Sequence, residues 1–214
     1  MAASAAADPS LLTHLTFEDR SATPVDSSGT KTKTTLIGRA GYGRGAQNGS
    51  AIKLVDGAHL KLENRKAYGK ETQAITVAFW TKAEAYPASS RLVQKGVAGE
   101  EWQIEINYKG EFVWTMFVKK PVAIYTQPPK PDTWVHVAVT YDRGTGRVYF
   151  DGKQANHRTV ENPGEIYYSR FPVIIGGGWD ANEQTVMPFT GFIDDFQIHN
   201  RALSAAEIAA LAKR

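Results

Sequence analysis

An acidic pair, Asp194 and Asp195, lies inside an alternating run of apolar and polar residues. In residues 191–200 the alternation places Asp194 on one face together with three apolar residues, Phe192, Phe196 and Ile198. If that face points to the core, the carboxylate needs a partner, because an unpaired buried charge is costly. Ca²⁺ is one candidate partner, since it prefers carboxylate and carbonyl oxygens. Backbone N–H groups, Arg20 and Arg201 are the alternatives.

A second group of residues has the chemistry of carbohydrate recognition, which uses aromatic rings for stacking and planar polar side chains for hydroxyl groups. Trp179 and Tyr125 lie in Gly- and Pro-rich loops, where packing does not require a large ring. Alternation along two predicted strands places four further candidate ligand-binding residues on outward faces: Trp80, Gln103, Glu105 and Asn107. Core packing is the alternative for Trp80, and a solvated polar face is the alternative for residues 103–107.

The composition excludes several kinds of chemistry. The absence of cysteine excludes disulfide scaffolds, thiolate metal sites and cysteine nucleophiles. The five histidines show no HxH or HxxxH spacing, which argues against zinc. The net charge of +3 is too small to indicate nucleic-acid binding, and the sequence contains no apolar stretch long enough to predict a membrane span. Residues 31–70 carry nine basic and two acidic residues, which indicates either a solvated surface or contact with an acidic partner such as a sulfated or uronic-acid polymer.

The elements that must position these residues are short strands. Period-two alternation recurs over residues 75–80 and 102–108, and turn signals such as Lys109-Gly110 and Asp151-Gly152 separate the runs. This pattern predicts an antiparallel sandwich or barrel. An apolar hairpin is predicted to supply core strands and contains Trp134, Val135, Val137, Val139, Tyr149 and Phe150.

The ends of the chain differ from this pattern. Ser204 followed by Glu207 is a capping box that predicts a short C-terminal helix, with Leu203 and Ile208 as its hydrophobic staple. Residues 1–10 are small and polar and lack a signal-peptide core, so they are predicted to be a disordered tail or a cloning remnant. Residues 11–214 show no linker or change in composition and are predicted to form one domain.

Four segments in this order resemble a known family. They are residues 15–18 with 26–29, residues 75–80, residues 134–142 with 148–153, and residues 175–177 leading to 191–195 and 200–204. Together they resemble the concanavalin A-like, laminin G-like (LamG-like) jelly-roll domains across roughly residues 11–212. The resemblance implies an all-β, two-sheet antiparallel sandwich, to which the predicted C-terminal helix is added. It also implies binding rather than catalysis, and often one calcium ion.

The resemblance also implies where a structural Ca²⁺ would bind. Related jelly rolls hold such an ion between the N-terminal strand, a Gly-rich loop and the last strand. The matching positions here are Glu18, the carbonyl of Gly49 and Asp194, with Asp26 as a further addition.

Catalysis is the main alternative. Related folds include glycan hydrolases with a Glu-x-Asp-x-Glu strand motif, and this chain reads Glu101-Trp-Gln-Ile-Glu105 at a similar place, with Gln103 instead of the middle acid. A retaining hydrolase needs two carboxyl groups about 5–5.5 Å apart. The resemblance therefore favours a non-catalytic, lectin-like module of a larger secreted or surface protein, extracellular or periplasmic, that binds a polysaccharide or glycan. A polysaccharide-cleaving enzyme and a protein-adhesion module remain the alternatives.

Overall fold

Alternation of apolar and polar residues builds nearly all of this chain into strands, as the sequence predicts. The computed structural model describes residues 8–97 and 99–213, so residues 1–7 of the predicted tail lie outside the described part. Within those ranges the chain forms seventeen strands and one α-helix. They are β1 (Leu11–Leu15), β2 (Thr34–Ile37), β3 (Ala40–Arg44), β4 (Ser50–Leu54), β5 (His59–Leu62), β6 (Ala74–Lys82), β7 (Ser90–Lys95), β8 (Trp102–Ile106), β9 (Phe112–Met116), β10 (Val122–Thr126), β11 (Val135–Asp142), β12 (Thr145–Phe150), β13 (Lys153–Thr159), β14 (Val173–Ile175), β15 (Gly178–Trp179), β16 (Thr185–Val186), β17 (Gly191–His199) and α1 (Ala205–Leu211).

Two large antiparallel sheets contain most of these strands. The eight-stranded sheet has the order β13-β12-β11-β6-β17-β4-β3, with β1 paired to the other end of β17. The seven-stranded sheet has the order β10-β9-β8-β7-β14-β5-β2, and β15 pairs only with β16. This architecture confirms the predicted two-sheet jelly-roll sandwich with a short C-terminal helix.

The hydrophobic core lies between the inner faces of the two sheets. Ile75, Val77 and Phe79 of β6 are fully buried there, in the phase that the alternation predicts. Two tryptophans of the seven-stranded sheet, Trp102 and Trp114, pack with their ring centroids 5.9 Å apart. Burying a large apolar side chain contributes about 1.5–3 kcal/mol, so this double layer supplies most of the driving force for folding.

Trp134 and Phe192 are not core residues, contrary to the sequence prediction. Both are only partly buried and lie on the outer face of the eight-stranded sheet. Trp134 directly precedes β11 and shares the phase of His136, which is opposite to that of the core valines. In β17 a bulge between Asp194 and Gln197 shifts the alternation, so Phe192 and Asp194 face outward while the apolar residues after the bulge face the core.

The C-terminal helix covers part of the outer face of the eight-stranded sheet. Ser204 and Glu207 form the predicted capping box. The two predicted staple residues, Leu203 and Ile208, are buried in one cluster with Ala78, Ala138, Tyr149 and Leu211. At seven residues, α1 is too short to cross a bilayer, and the described residues contain no helix that is long and apolar enough to do so.

Residues 8–10 are attached to the sandwich, although the sequence predicts a tail there. The Asp8 carboxylate accepts a hydrogen bond from Arg201 at 3.0 Å, and the Ser10 hydroxyl lies 3.2 Å from Nδ1 of His199. The carbonyl of Ser10 also accepts a hydrogen bond from the N–H of Asn200. Residues 8–10 are therefore part of the folded domain.

Candidate functional site

The outer face of the seven-stranded sheet carries a buried polar network at its centre. The cross-strand pairs Arg91–Glu105 and Gln94–Gln103 place four polar side chains side by side on β7 and β8. Arg91 donates to Glu105 Oε2 from Nη2 at 2.6 Å and from Nε at 3.1 Å, and its Nη1 donates to Gln94 Oε1 at 2.8 Å. Gln103 is 7% exposed and its Oε1 has no hydrogen-bond partner among the described residues. The predicted solvated face is therefore a covered, ion-paired one.

The segment around β15 and β16 covers this network. The N–H of Trp179 donates to Gln94 Oε1 at 2.9 Å, and the N–H of Arg91 donates to the carbonyl of Met187 at 2.8 Å. A Cβ added at Gly178 would come within 2.7 Å of Gln94 Oε1. The glycine therefore lets the backbone lie directly on the polar side chains.

Trp179 is packed against the sheet rather than free in a loop. It is 6% exposed, its ring meets that of His59 edge-on at 5.8 Å, and the Lys61 Nζ lies 5.1 Å from the ring centroid. The expectation that packing does not require this ring was wrong, because the two-residue strand β15 folds back onto the outer face of the sheet.

Trp179 also lines a cleft of about 220 Å³, which we call the Trp179 cleft. Its lining residues combine one indole, one phenyl ring and several polar side chains: Lys61, Glu63, Asn64, Arg170, Phe171, Pro172, Trp179 and Glu183. Two of these residues carry a buried polar atom with no hydrogen-bond partner in the described part of the chain, namely Nε1 of Trp179 and Oδ1 of Asn64. One is a donor and the other an acceptor, and buried polar atoms are normally paired.

The remaining predicted ligand-binding residues do not all join this surface. Tyr125, 47% exposed, lies on the same outer face, two strands beyond Glu105. Asn107 closes the turn after β8, where its Oδ1 accepts from the N–H groups of residues 109 and 111 at 2.9 and 3.0 Å. Trp80 lies on the opposite side of the sandwich, on the outer face of the eight-stranded sheet, packed at 5.3 Å against His136. The six residues therefore do not form a single site.

The basic stretch 31–70 is likewise not a single surface. Arg44 and Lys53 lie on β3 and β4 of the eight-stranded sheet, whereas Lys61 lies on β5 of the seven-stranded sheet. The chain crosses between the two sheets within this stretch, which distributes its positive charge over both sheets.

The predicted calcium ligands Glu18 and Asp194 meet at the loop formed by residues 45–49. The N–H of Ser50 donates to Glu18 Oε1 at 3.0 Å, and the N–H of Ala46 donates to Asp194 Oδ2 at 2.9 Å. Burial, and secondly the negative charges of Asp195 and Glu18, raise the pKa of Asp194 to about 6, although two backbone hydrogen bonds oppose the shift. A buried carboxylate next to a second negative charge is electrostatically unfavourable without a cation.

Two glycines allow this arrangement. A Cβ at Gly49 would overlap the Glu18 carboxylate, and a Cβ at Gly45 would lie 2.5 Å from Asp194 Oδ2. The loop is closed by a hydrogen bond of 2.8 Å from the N–H of Gly45 to the carbonyl of Gly49. The two carboxylates lie beside one loop, and because Ca²⁺ prefers carboxylate and carbonyl oxygens, these residues fit such an ion chemically. The described ranges contain no group of three or more His, Cys, Asp or Glu residues arranged for a metal.

Asp26 has a different role from that pair. Burial by itself would raise the pKa of Asp26, but hydrogen bonds from the N–H groups of His14, Ser28 and Thr32 outweigh it and lower the pKa. These bonds, at 2.8–2.9 Å, organise the turn that follows β1.

The two glutamates of the hydrolase-like motif are held in two separate ion pairs. Glu101 is 1% exposed and is bound to Lys95 Nζ at 2.5 Å and to the N–H of Ser169 at 2.7 Å. Burial raises the pKa of Glu101 in spite of the lysine charge. Glu105 is bound to Arg91 on the outer face. Glu101 is closed off from solvent and Glu105 is engaged by Arg91, an arrangement that differs from the open pair of carboxyl groups in a retaining hydrolase.

Comparisons with known proteins agree with this architecture. Residues 55–209 match the family model described as the concanavalin A-like lectin/glucanases superfamily. No curated protein sequence matches the chain. Among solved structures, the chain is similar to the binding domain of Paraclostridial Mosquitocidal Protein 1, with a TM-score of 0.75, 18% identity and coverage of 95% of this chain and 52% of that one.

Two further structures are informative. Botulinum neurotoxin type C, whose cell entry is described as dependent on two ganglioside molecules, has a TM-score of 0.75 and 16% identity, covering 95% of this chain and 51% of that one. Domain 4 of AbnA, a GH43 extracellular arabinanase from Geobacillus stearothermophilus in complex with arabinotriose, has a TM-score of 0.74 and 20% identity, covering 94% and 98%. The chain thus spans about half the length of the toxin structures and nearly all of the arabinanase domain.

Proposed function

The chain belongs to the concanavalin A-like lectin/glucanase superfamily, and from this premise we propose that it is a non-catalytic carbohydrate-binding module. The Trp179 cleft is the observation that carries the proposal. Carbohydrate sites combine an aromatic ring with a few polar groups that fix the hydroxyl groups. The cleft offers an indole beside Lys61, Asn64 and Glu183 in this way.

The unpaired atoms of the cleft support a polar ligand. Nε1 of Trp179 can donate a hydrogen bond and Oδ1 of Asn64 can accept one, and neither has a partner in the described residues. The amide nitrogen of Asn64 is already used by Tyr168 and Ser169, at 3.1 and 2.9 Å, so the orientation of its oxygen is fixed. A ligand hydroxyl group that reaches either atom can pair with it, because a hydroxyl both donates and accepts.

The solved neighbours support the same class of ligand. One is an arabinanase domain in complex with arabinotriose, and another is a toxin whose cell entry depends on ganglioside molecules. We further propose that this chain is one domain of a larger extracellular or periplasmic protein, as domain 4 is in the extracellular arabinanase. Within such a protein the module would hold a partner domain close to a polysaccharide or glycan.

A glycan array followed by calorimetry on the best ligand tests the proposal. The variant Trp179→Phe keeps an aromatic ring against His59 but removes the N–H donor. We expect affinity to fall about threefold to tenfold, the worth of one hydrogen bond. Glu183→Ala removes an exposed polar group of the cleft and should also weaken binding. Tyr108→Ala is the matched control, because this 76% exposed ring lies at a distant hairpin turn.

The outcomes separate clearly. Binding that weakens in both cleft variants and not in the control supports the site. The absence of any bound glycan on the array would refute the proposed function. An affinity that is unchanged in both cleft variants would refute the site. Melting temperatures of all variants show whether a loss of binding is a loss of folding.

We also propose that Glu18, Asp194 and the carbonyl of Gly49 hold a structural Ca²⁺. Bound there, the ion would neutralise two carboxylates and join the loop of residues 45–49 to β17. Ligand linkage would stabilise the fold by about 2.7 kcal/mol at a hundredfold excess over the dissociation constant. Excess chelator should therefore lower the melting temperature, and an unchanged melting curve would exclude the ion.

A further inference from the structure

The outer face of the eight-stranded sheet carries a row of alternating aromatic and basic residues, which we call the aromatic–basic row. Phe192 of β17 pairs with Lys82 of β6 on one side and with Lys53 of β4 on the other, so the three side chains project from the same face. Trp134, which precedes β11 next to β6, extends the row, with its ring centroid 6.0 Å from that of Phe192. Gly41 of β3 pairs with Lys53 and ends it.

The aromatic rings of the row are held in place and remain partly accessible. The Lys53 Nζ lies 5.5 Å from the centroid of the Phe192 ring. A Cβ at Gly43 would lie 2.7 Å from Cε1 of Phe192, so the ring rests on the bare backbone of β3. Trp134 and Phe192 are both half-buried, which leaves part of each ring open to solvent.

Two hollows flank the row and share Lys82 and Phe192. The first, about 490 Å³, is also lined by Trp134, by Arg44 and Asn48, and by the loop residues Gly45 and Ala46. The second, about 350 Å³, continues past residues 83–87 and contains Glu84 and Asp132. Both volumes lie in the range of small-ligand sites, and because Lys82 and Phe192 line both, the two hollows adjoin along the row.

The charges of the row are not neutralised by the protein itself. Within residues 8–97 and 99–213, Lys53 and Lys82 of the row form no ion pair with an acidic side chain, and neither does Arg44 of the first hollow. The two acidic residues, Glu84 and Asp132, occur only in the second hollow. Arg44 and Lys82 therefore line the first hollow next to both aromatic rings, and its lining contains no acidic residue.

From this geometry we propose that the aromatic–basic row binds an acidic polysaccharide, whose sugar rings stack on Trp134 and Phe192 and whose carboxylate or sulfate groups pair with Lys53, Lys82 and Arg44. Two adjoining hollows along the row suit a chain of sugars rather than a single unit. The acidic groups of the polymer would lie towards Arg44, because Glu84 and Asp132 repel them from the second hollow. For the class of ligand the inference rests on the proposed carbohydrate-binding function, but its site is independent of the Trp179 cleft.

Charge reversal tests the electrostatic half of the proposal. The double variant Lys53→Glu and Lys82→Glu changes two surface residues, and Lys109→Glu together with Lys153→Glu is the control of equal charge at exposed positions elsewhere. Binding of polygalacturonate and of heparin is measured by calorimetry at low and high salt. We expect the row variant to lose about tenfold or more in affinity, with a steeper salt dependence in the wild type than in the variant. Equal losses in row variant and control would overturn the site.

Replacing the rings tests the stacking half. Trp134→Ala should weaken acidic-polysaccharide binding, whereas Tyr108→Ala should not. If Trp134→Ala does not fold, Trp134→Leu keeps apolar packing without an aromatic face. Unchanged affinity in a folded Trp134 variant would overturn the stacking, and equal affinity for duplex DNA at matched salt would show a nonspecific polyanion surface instead.

The two proposals fail in different ways. Changes in the Trp179 cleft should leave acidic-polysaccharide binding at the row intact, and changes in the row should leave the glycan bound by the cleft intact. If only acidic polymers bind, and only through the row, the Trp179 site is wrong and the row stands. If acidic polysaccharides bind without any effect of the row variants, the row is wrong and the module function stands.

Discussion

Replacing Asp194 with asparagine should stabilise the calcium-free protein at neutral pH. The carboxylate is 5% exposed, and burial raises its pKa from the ordinary 3.8 to about 6. This difference corresponds to about 3 kcal/mol of destabilisation once the group is ionised in both the folded and unfolded states. The asparagine side chain preserves the two backbone hydrogen bonds only in part, and this loss reduces the stabilisation by about 1 kcal/mol. The expected net gain is about 2 kcal/mol in the free energy of unfolding, by difference of these two values.

The pH dependence has a defined sign. Between pH 3.8 and about 6 the folded protein binds the Asp194 proton more tightly than the unfolded chain does. The contribution of this residue to stability therefore falls as the pH rises through that window. Asp194→Asn has no such titration, so its advantage should be present at neutral pH and vanish in acid below the unfolded pKa.

Urea unfolding at acidic and neutral pH, in chelator and in excess Ca²⁺, measures both effects. Asp26→Asn is the matched control with the opposite sign, because backbone hydrogen bonds lower the pKa of Asp26 and its contribution is lost as the pH falls. A variant at Asp194 that is less stable than the wild type at neutral pH in chelator would refute the burial argument. Ca²⁺ that stabilises the wild type no more than the variant would refute the metal proposal alone.

Three further predictions concern stability and are checked by chemical denaturation. Gly49→Ala should cost about 1–3 kcal/mol because a Cβ overlaps a carboxylate there, whereas Gly41→Ala, whose nearest neighbouring atom would be 3.9 Å away, should be close to neutral; similar costs would contradict the overlap. Lys95→Met should cost about 3–5 kcal/mol because it leaves Glu101 buried without its cation, and adding Glu101→Gln should recover part of the loss. Ser204→Ala should cost about 1 kcal/mol by removing the cap of α1, and no change would mean that tertiary contacts alone hold the helix.

The fold was predictable from the sequence because each core strand alternates with period two. The alternation of Ile75, Val77 and Phe79 predicts which face of β6 points to the core, and all three are buried there. The capping box at Ser204 is equally local, since it depends on a spacing of three residues. Features of this kind need no knowledge of distant parts of the chain.

The exposure of residues on the outer faces of the sheets was less predictable, because it depends on segments that are distant in the sequence. Alternation with Val135 and Val137 places Trp134 on the outer face of the sheet. This was overlooked because its neighbours in the sequence are apolar. The phase of Asp194 depends on a bulge, at which Asp195 adopts a φ of 46°, and alternation alone does not reveal it. Trp179 is covered because β15 folds onto residues 85 positions away in the sequence, which no local pattern shows.

The position of β17 constrains how this sandwich is made. It lies between β6 and β4 in the middle of the eight-stranded sheet and also pairs with β1, yet it follows every other strand in the chain. A nascent chain that has reached residue 190 lacks the strand that joins the two halves of that sheet, and its β6 and β4 each present an unpaired edge. Such edges favour pairing with other chains. Folding of the domain on the ribosome should therefore wait for the final strand, and chaperone binding should be strongest just before β17 emerges.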